Sequence, residues 1–66
     1  MKWKKVDVKT WESHFSNKFD FIVAQENSRF ILDIFNKRIK NNSDAYMDSF
    51  ELGSLKEAKQ DAENYL

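Results

Sequence analysis

The chain has 66 residues, no cysteine, and 11 basic side chains balanced by 11 acidic ones. A chain of this length forms a single small domain, 1–66, that buries only about 60% of its unfolded surface and has little room for a deep catalytic cavity. Neither disulfides nor thiolate metal sites can add stability. The hydrophobic core must therefore supply the stability, or a second subunit must, and six Phe, two Trp and two Tyr make a lone domain plausible.

The distribution of apolar residues along the sequence predicts neither a secretory signal nor a membrane-spanning helix. The first residues are basic, but no apolar run follows their lysines, so we expect no secretory signal. Apolar residues never extend over the roughly 18 positions that a membrane-spanning helix needs. We therefore predict a cytoplasmic protein, with no membrane partner.

The zero net charge conceals a polarity along the chain. Residues 1–40 carry nine Lys and Arg against five Asp and Glu, a net +4, whereas residues 41–66 carry two against six, a net −4. We expect these charges to solvate two different surfaces, because charge patterning of this kind affects solubility and association rather than fold.

The amino-terminal segment, 1–18, contains the least certain elements. KWKKVDV at 2–8 is a candidate strand that uses Val6 and Val8. TWESHF at 10–15 has Trp11 and Phe15 at the spacing of a helical turn, but its residues also alternate in the two-residue period of a strand. Between strand and helical turn, we favour an extended segment or short strand.

Two central segments, 19–23 and 29–35, alternate clearly as strands. Between them, Asn27 and Ser28 can adopt the backbone angles of a two-residue hairpin loop. A two-residue loop pairs residues whose numbers sum to 55. A four-residue loop gives a sum of 53, which is also odd, so the same residues share a face in both cases. Both registers place the two apolar sets, which are Phe19, Phe21 and Val23 with Phe30, Leu32 and Ile34, on one face.

The last third of the chain predicts a loop, a strand and a helix. Residues 41–44, NNSD, form a loop, and 45–52 alternate with Tyr46, Phe50 and Leu52 on one side, together with Asp48. Ser54 followed by Glu57 is a capping box, which predicts that a helix starts at Ser54. Its apolar stripe consists of Leu55, Ala58, Ala62, Tyr65 and Leu66, whereas Lys56, Glu57, Lys59, Asp61 and Glu63 should face water.

These elements predict an α+β domain, an antiparallel β-meander of three or four strands packed against one C-terminal α-helix. One helix covers one face of a sheet, whereas Ile22, Ile31 and Phe35 project to the opposite face with Asp20 and Asp33. Either the amino-terminal segment folds over that face with Trp3 or Trp11, or a protein partner or second copy binds there. The candidate partner-binding residues are therefore Ile22, Ile31, Phe35, Trp3 and Trp11.

Residues suited to catalysis are scarce. His14 is the only histidine, so no histidine pair can hold a metal, and a single glycine excludes a glycine-rich phosphate loop. We expect no enzyme, no catalytic, metal-binding or cofactor-binding residue, no cofactor and no small-molecule substrate.

Nucleic-acid binding is the alternative function. Basic residues that can neutralise phosphates stand near aromatic residues that can stack on bases, and the candidates are Lys4, Lys5, Lys37 and Arg38. Three strands followed by one helix resemble the three-stranded DNA-binding domains of phage and transposon integrases, whose sheet enters the major groove. This resemblance implies contact with DNA through the basic amino-terminal half.

The carboxyl-terminal quarter carries a second resemblance, on Phe50, Ser54, Leu55, Glu57, Ala58, Lys59, Ala62 and Glu63. It is similar to the strand followed by an S-L-x-E-A-K-x-x-A-E helix that ends many small phage and bacterial proteins of unassigned activity. The resemblance implies a compact accessory or inhibitor protein that acts by binding, and it identifies no functional residue. The leading hypothesis is a small non-enzymatic protein-binding module that acts through a sheet face.

Overall fold

The computed structural model describes residues 2–66, without the side chain of residue 42. Within these residues, all five strands form one antiparallel sheet whose order, β1-β2-β3-β4-β5, is the chain order. The α+β class and the carboxyl-terminal helix are confirmed, but the expectation of three or four strands is wrong. The elements are β1 (Lys4–Asp7), β2 (Thr10–Ser13), β3 (Phe19–Glu26), β4 (Arg29–Asn36), α1 (Asn42–Ala45), β5 (Tyr46–Leu52) and α2 (Leu55–Tyr65).

The additional strand arises because the amino-terminal segment forms a complete hairpin, β1 and β2. Its turn has neither glycine nor Asn-Gly, and the Asp7 carboxylate instead accepts the amide N–H of Val8 at 2.6 Å. β2 continues the sheet by pairing with β3, where Trp11 lies opposite Val23. The strand interpretation of residues 10–13 is thus confirmed, and Phe15 lies beyond the strand with 65% of its surface exposed.

The β3–β4 hairpin has the predicted two-residue turn. Asn27 has a φ of 57°, the left-handed conformation that Asn tolerates better than most residues. Glu26 lies opposite Arg29, and the pairing places Phe21 opposite Ile34 as predicted.

The hydrophobic core lies between α2 and one face of the sheet, which we call the helix-covered face. Its fully buried residues are Phe21, Val23, Leu32, Ile34, Ala58 and Ala62. The two alanines allow the helix axis to approach the sheet closely, while Tyr65 at the end of α2 packs edge-on to Phe19, with ring centroids 5.2 Å apart.

α2 begins with the predicted cap. The Ser54 Oγ accepts the amide N–H of Glu57 at 3.1 Å, but the Glu57 carboxylate accepts from the amide of Gly53, at 3.2 Å, rather than from that of Ser54. The cap therefore satisfies one helical amide and the backbone just before it.

The segment before and at the start of β5 differs from the prediction in two ways. The predicted loop at 41–44 overlaps the one-turn helix α1, in which the Asn41 carbonyl accepts the amide of Ala45 at 2.8 Å. In β5, Asp48 pairs with Ile34 whereas Tyr46 pairs with Phe35, so Met47 is an extra, bulged residue. The bulge turns Tyr46 away from the side of Phe50 and Leu52, and the expectation that the three share a face is wrong.

Candidate functional site

The sheet face opposite α2, which we call the open face, carries the candidate site. Strand register places Ile22, Ile31 and Phe35 there, on the adjacent strands β3 and β4, and all three side chains are half-buried. The β5 bulge adds Tyr46, whose ring lies 5.7 Å from that of Phe35. The result is a contiguous apolar patch across three strands.

A cleft of about 350 Å³ lies at one end of the open face, between the sheet and the β4–β5 connection. Its apolar part includes Ile39 and Ala45 from that connection, and its polar rim includes His14 and Asp20. The volume is at the lower end of the range for ligand-binding clefts. The lining residues are His14, Asp20, Ile22, Phe35, Asn36, Ile39 and Ala45.

His14 lies between two carboxylates on the rim of this cleft. Its Nδ1 is 2.7 Å from Oδ1 of Asp20, and its Nε2 is 3.1 Å from Oε1 of Glu12. An ionised carboxylate only accepts hydrogen bonds, so both ring nitrogens donate best when the imidazole is protonated. The bond to Asp20, followed by that to Glu12, raises the pKa of His14 above its ordinary value, against the opposing effect of burial.

Lys37, just after β4, forms hydrogen bonds to the backbone of the β2–β3 connection. Its Nζ donates to the carbonyl oxygens of His14 and Ser16 at 2.6 and 2.8 Å, and lies 3.5 Å from Oδ1 of Asp20. These three contacts match the three donors of an ammonium group. The lysine therefore holds the rim of the cleft in place.

The structure divides the five predicted partner-binding residues between two faces. Ile22, Ile31 and Phe35 lie together on the open face, as described above. Trp3 and Trp11 pack on the helix-covered face, where their rings lie 6.4 Å from Phe21 and 6.1 Å from Phe30. Of the two alternatives, the one in which the amino-terminal segment covers the second sheet face with Trp3 or Trp11 is wrong, because both side chains pack against the core.

The four predicted nucleic-acid contacts do not converge on one surface. Lys4 pairs with Glu12 on the open-face side of β1, whereas the Lys5 Nζ lies 5.4 Å from the ring centroid of Trp11 on the other side. Lys37 is engaged with its own chain, and Arg38 lies beside Lys18 and Phe19 at the end of the sheet.

Sequence reasoning missed two parts of the site. The bond between His14 and Asp20 depends on the path of the β2–β3 connection, for which the sequence has no periodic signal. The contribution of Tyr46 depends on the bulge at Met47, and strict alternation cannot show a bulge.

The described residues form a small α+β domain in which α2 covers one sheet face and leaves Ile22, Ile31 and Phe35 half-buried on the other. Comparison with protein-family models, with curated proteins and with solved structures found no match to this chain. The described residues contain no group of three or more His, Asp or Glu side chains arranged to hold a metal ion. Across residues 2–66, no helix has the length and apolar character needed to cross a membrane.

Proposed function

We propose that this chain is a non-enzymatic protein-binding module that uses the open face. The observation that carries the proposal is the apolar patch of Ile22, Ile31 and Phe35, which α2 leaves uncovered and which continues into the cleft. Contiguous apolar patches rimmed by polar groups are typical of protein interaction sites, and aromatic residues are enriched there. A phage or mobile-element accessory or inhibitor protein would act through binding of this kind.

The experiment replaces Phe35 with Glu and compares capture of proteins from a bacterial lysate by the purified wild type and the variant. A charge placed in an interface opposes association strongly, whereas Phe35 is only half-buried in the free chain, so the variant should stay folded and lose its partner. Sedimentation of both proteins tests whether the partner is a second copy.

Phe15→Glu is the matched control, since it makes the same chemical change at an exposed ring that does not line the cleft. Proteins that bind the wild type and the Phe15 variant, but not the Phe35 variant, would support the proposal. Equal capture and equal sedimentation by all three folded proteins would refute it. Circular dichroism establishes that each variant is folded.

Nucleic-acid binding by the basic half is the second hypothesis, and the disposition of its residues favours it less. Phosphate contacts need cations along one surface, whereas Lys4 and Lys5 lie on opposite sides of β1. Lys37 would also have to exchange its bonds to two backbone carbonyls for phosphate oxygens.

A further inference from the structure

We infer that the open face binds an arginine side chain of its protein partner through Asp33. This inference rests on the proposed function, because it specifies the chemistry of the partner that the same surface accepts.

Asp33 occupies the centre of the apolar patch. It pairs across the sheet with Ile22 on β3 and with Ser49 on β5, and along β4 its neighbours on the same face are Ile31 and Phe35. The side chain is half-buried. Among the described residues it forms no side-chain hydrogen bond and no ion pair.

Three other carboxylates near the patch differ from Asp33 in this respect. Oε1 of Glu51 lies 2.9 Å from Nε of Arg29, and Asp20 is bound by both His14 and Lys37. Glu12 contacts the second ring nitrogen of His14. Asp33 is thus the carboxylate in the middle of the patch for which the described residues supply no counterion.

A partner that covers the patch must also desolvate this carboxylate. Burial of an unpaired charge opposes association strongly, whereas a hydrogen-bonded counterion from the partner offsets much of that cost. A partner that buries these apolar surroundings therefore gains most if it also supplies a cation at the position of Asp33.

Arginine fits this position better than lysine. Its planar guanidinium can donate two hydrogen bonds to one carboxylate and can stack on an aromatic ring at the same time. Phe35 lies two residues from Asp33 on the same face, and Tyr46 lies beside Phe35, so ring surface is next to the carboxylate. An apolar residue near the arginine would then enter the cleft beside Phe35.

The test selects a random displayed-peptide library on the intact wild-type chain and then measures a synthetic peptide of the enriched sequence against variants. Enriched peptides should contain an arginine close to an apolar residue. Asp33→Asn should weaken binding of that peptide at least about tenfold, and replacement of the peptide's arginine by lysine should also weaken it.

Asp48→Asn is the matched control, because Asp48 is a half-buried aspartate of the same sheet that pairs with Ile34 on the helix-covered side. It should leave peptide binding unchanged. Circular dichroism of both variants separates loss of binding from loss of fold.

Two results would overturn the inference. If the enriched peptides lose binding to the Phe35→Glu variant but bind wild type and Asp33→Asn equally, the open face is a binding surface and only the role of Asp33 is refuted. If no peptide distinguishes the wild type from Phe35→Glu, the proposed function and the inference fail together.

Discussion

The Nδ1 atom of His14 lies 2.7 Å from a carboxylate oxygen of Asp20, and this contact joins the β2–β3 connection to β3 at the rim of the cleft. Because the hydrogen bond favours the protonated ring, it raises the pKa of His14 above about 6.5, the value of an unperturbed histidine. The charged groups around His14 are Asp20 and Glu12, with the Lys37 ammonium on its backbone carbonyl.

We expect the proton NMR titration of His14, the only histidine, to have a midpoint above pH 6.5. Asp20→Asn should move the midpoint down towards about 6.5, because the amide lacks the charge that stabilises the imidazolium. A wild-type midpoint at or below 6.5 would contradict the hydrogen bond between the two side chains.

The same contact predicts a pH dependence of stability. A group whose pKa is raised in the folded state binds more protons there, so its contribution is complete below the unfolded pKa of about 6.5 and is lost as pH rises through the folded pKa. The difference in unfolding free energy between wild type and His14→Gln should therefore be largest below pH 6.5 and shrink above it. Urea titrations of both proteins at several pH values measure this difference, and one that grows with pH would contradict it.

Ser54→Ala should lower the free energy of unfolding by about 1 kcal/mol, because the Ser54 Oγ caps the amide of Glu57. For a domain of this size, the melting temperature should fall by about 4 to 8 °C per kcal/mol. Ser49→Ala, at an exposed position of β5, is the control. Equal melting curves for the wild type and the Ser54 variant would show that Ser54 does not stabilise the helix.

Ser13→Ala should stabilise the domain. Ser13 is 2% exposed, and its Oγ has no hydrogen-bond partner within the described part of the chain. Removal of an unpaired buried hydroxyl should raise the free energy of unfolding by about 1 kcal/mol. Ser49→Ala makes the same change at an exposed strand position and controls for strand propensity. A destabilised Ser13 variant, measured by urea unfolding, would mean that the hydroxyl is bound.

Duplex and single-stranded nucleic acids should show no mobility shift with this protein even at about 50 mM salt, where phosphate contacts are strong. The reason is the divergence of Lys4, Lys5, Lys37 and Arg38 described above. A shift whose affinity falls with salt by about 0.9 log units per log unit for each contact would instead support the nucleic-acid hypothesis.

The elements that the sequence predicted well are those with strong local signals. The alternation of apolar and polar residues on both sides of Asn27 was sufficient to predict the pairing of β3 with β4. The capping residues Ser54 and Glu57 were sufficient to predict the start of α2. The β1–β2 turn was harder because its stabilising group is the Asp7 side chain rather than a glycine.

The candidate site was predicted in part for the same reason. Strand alternation placed Ile22, Ile31 and Phe35 on one face, together with Asp33. Alternation could not show that Trp3 and Trp11 belong to the other face, because their segment had no fixed register before the hairpin was known. Neither could it show which carboxylates find a partner, since this depends on connections such as the one that carries His14.

The strand order of the sheet has a consequence for how the chain folds. Since each strand pairs only with its neighbours in the chain, every step of sheet formation closes a short loop and loses little chain entropy. Docking of α2 against β3 is the contact that spans more than half of the described chain. Local pairing of this kind is associated with fast folding. Docking of the helix, which closes the longest loop, is therefore the step of folding that loses the most chain entropy.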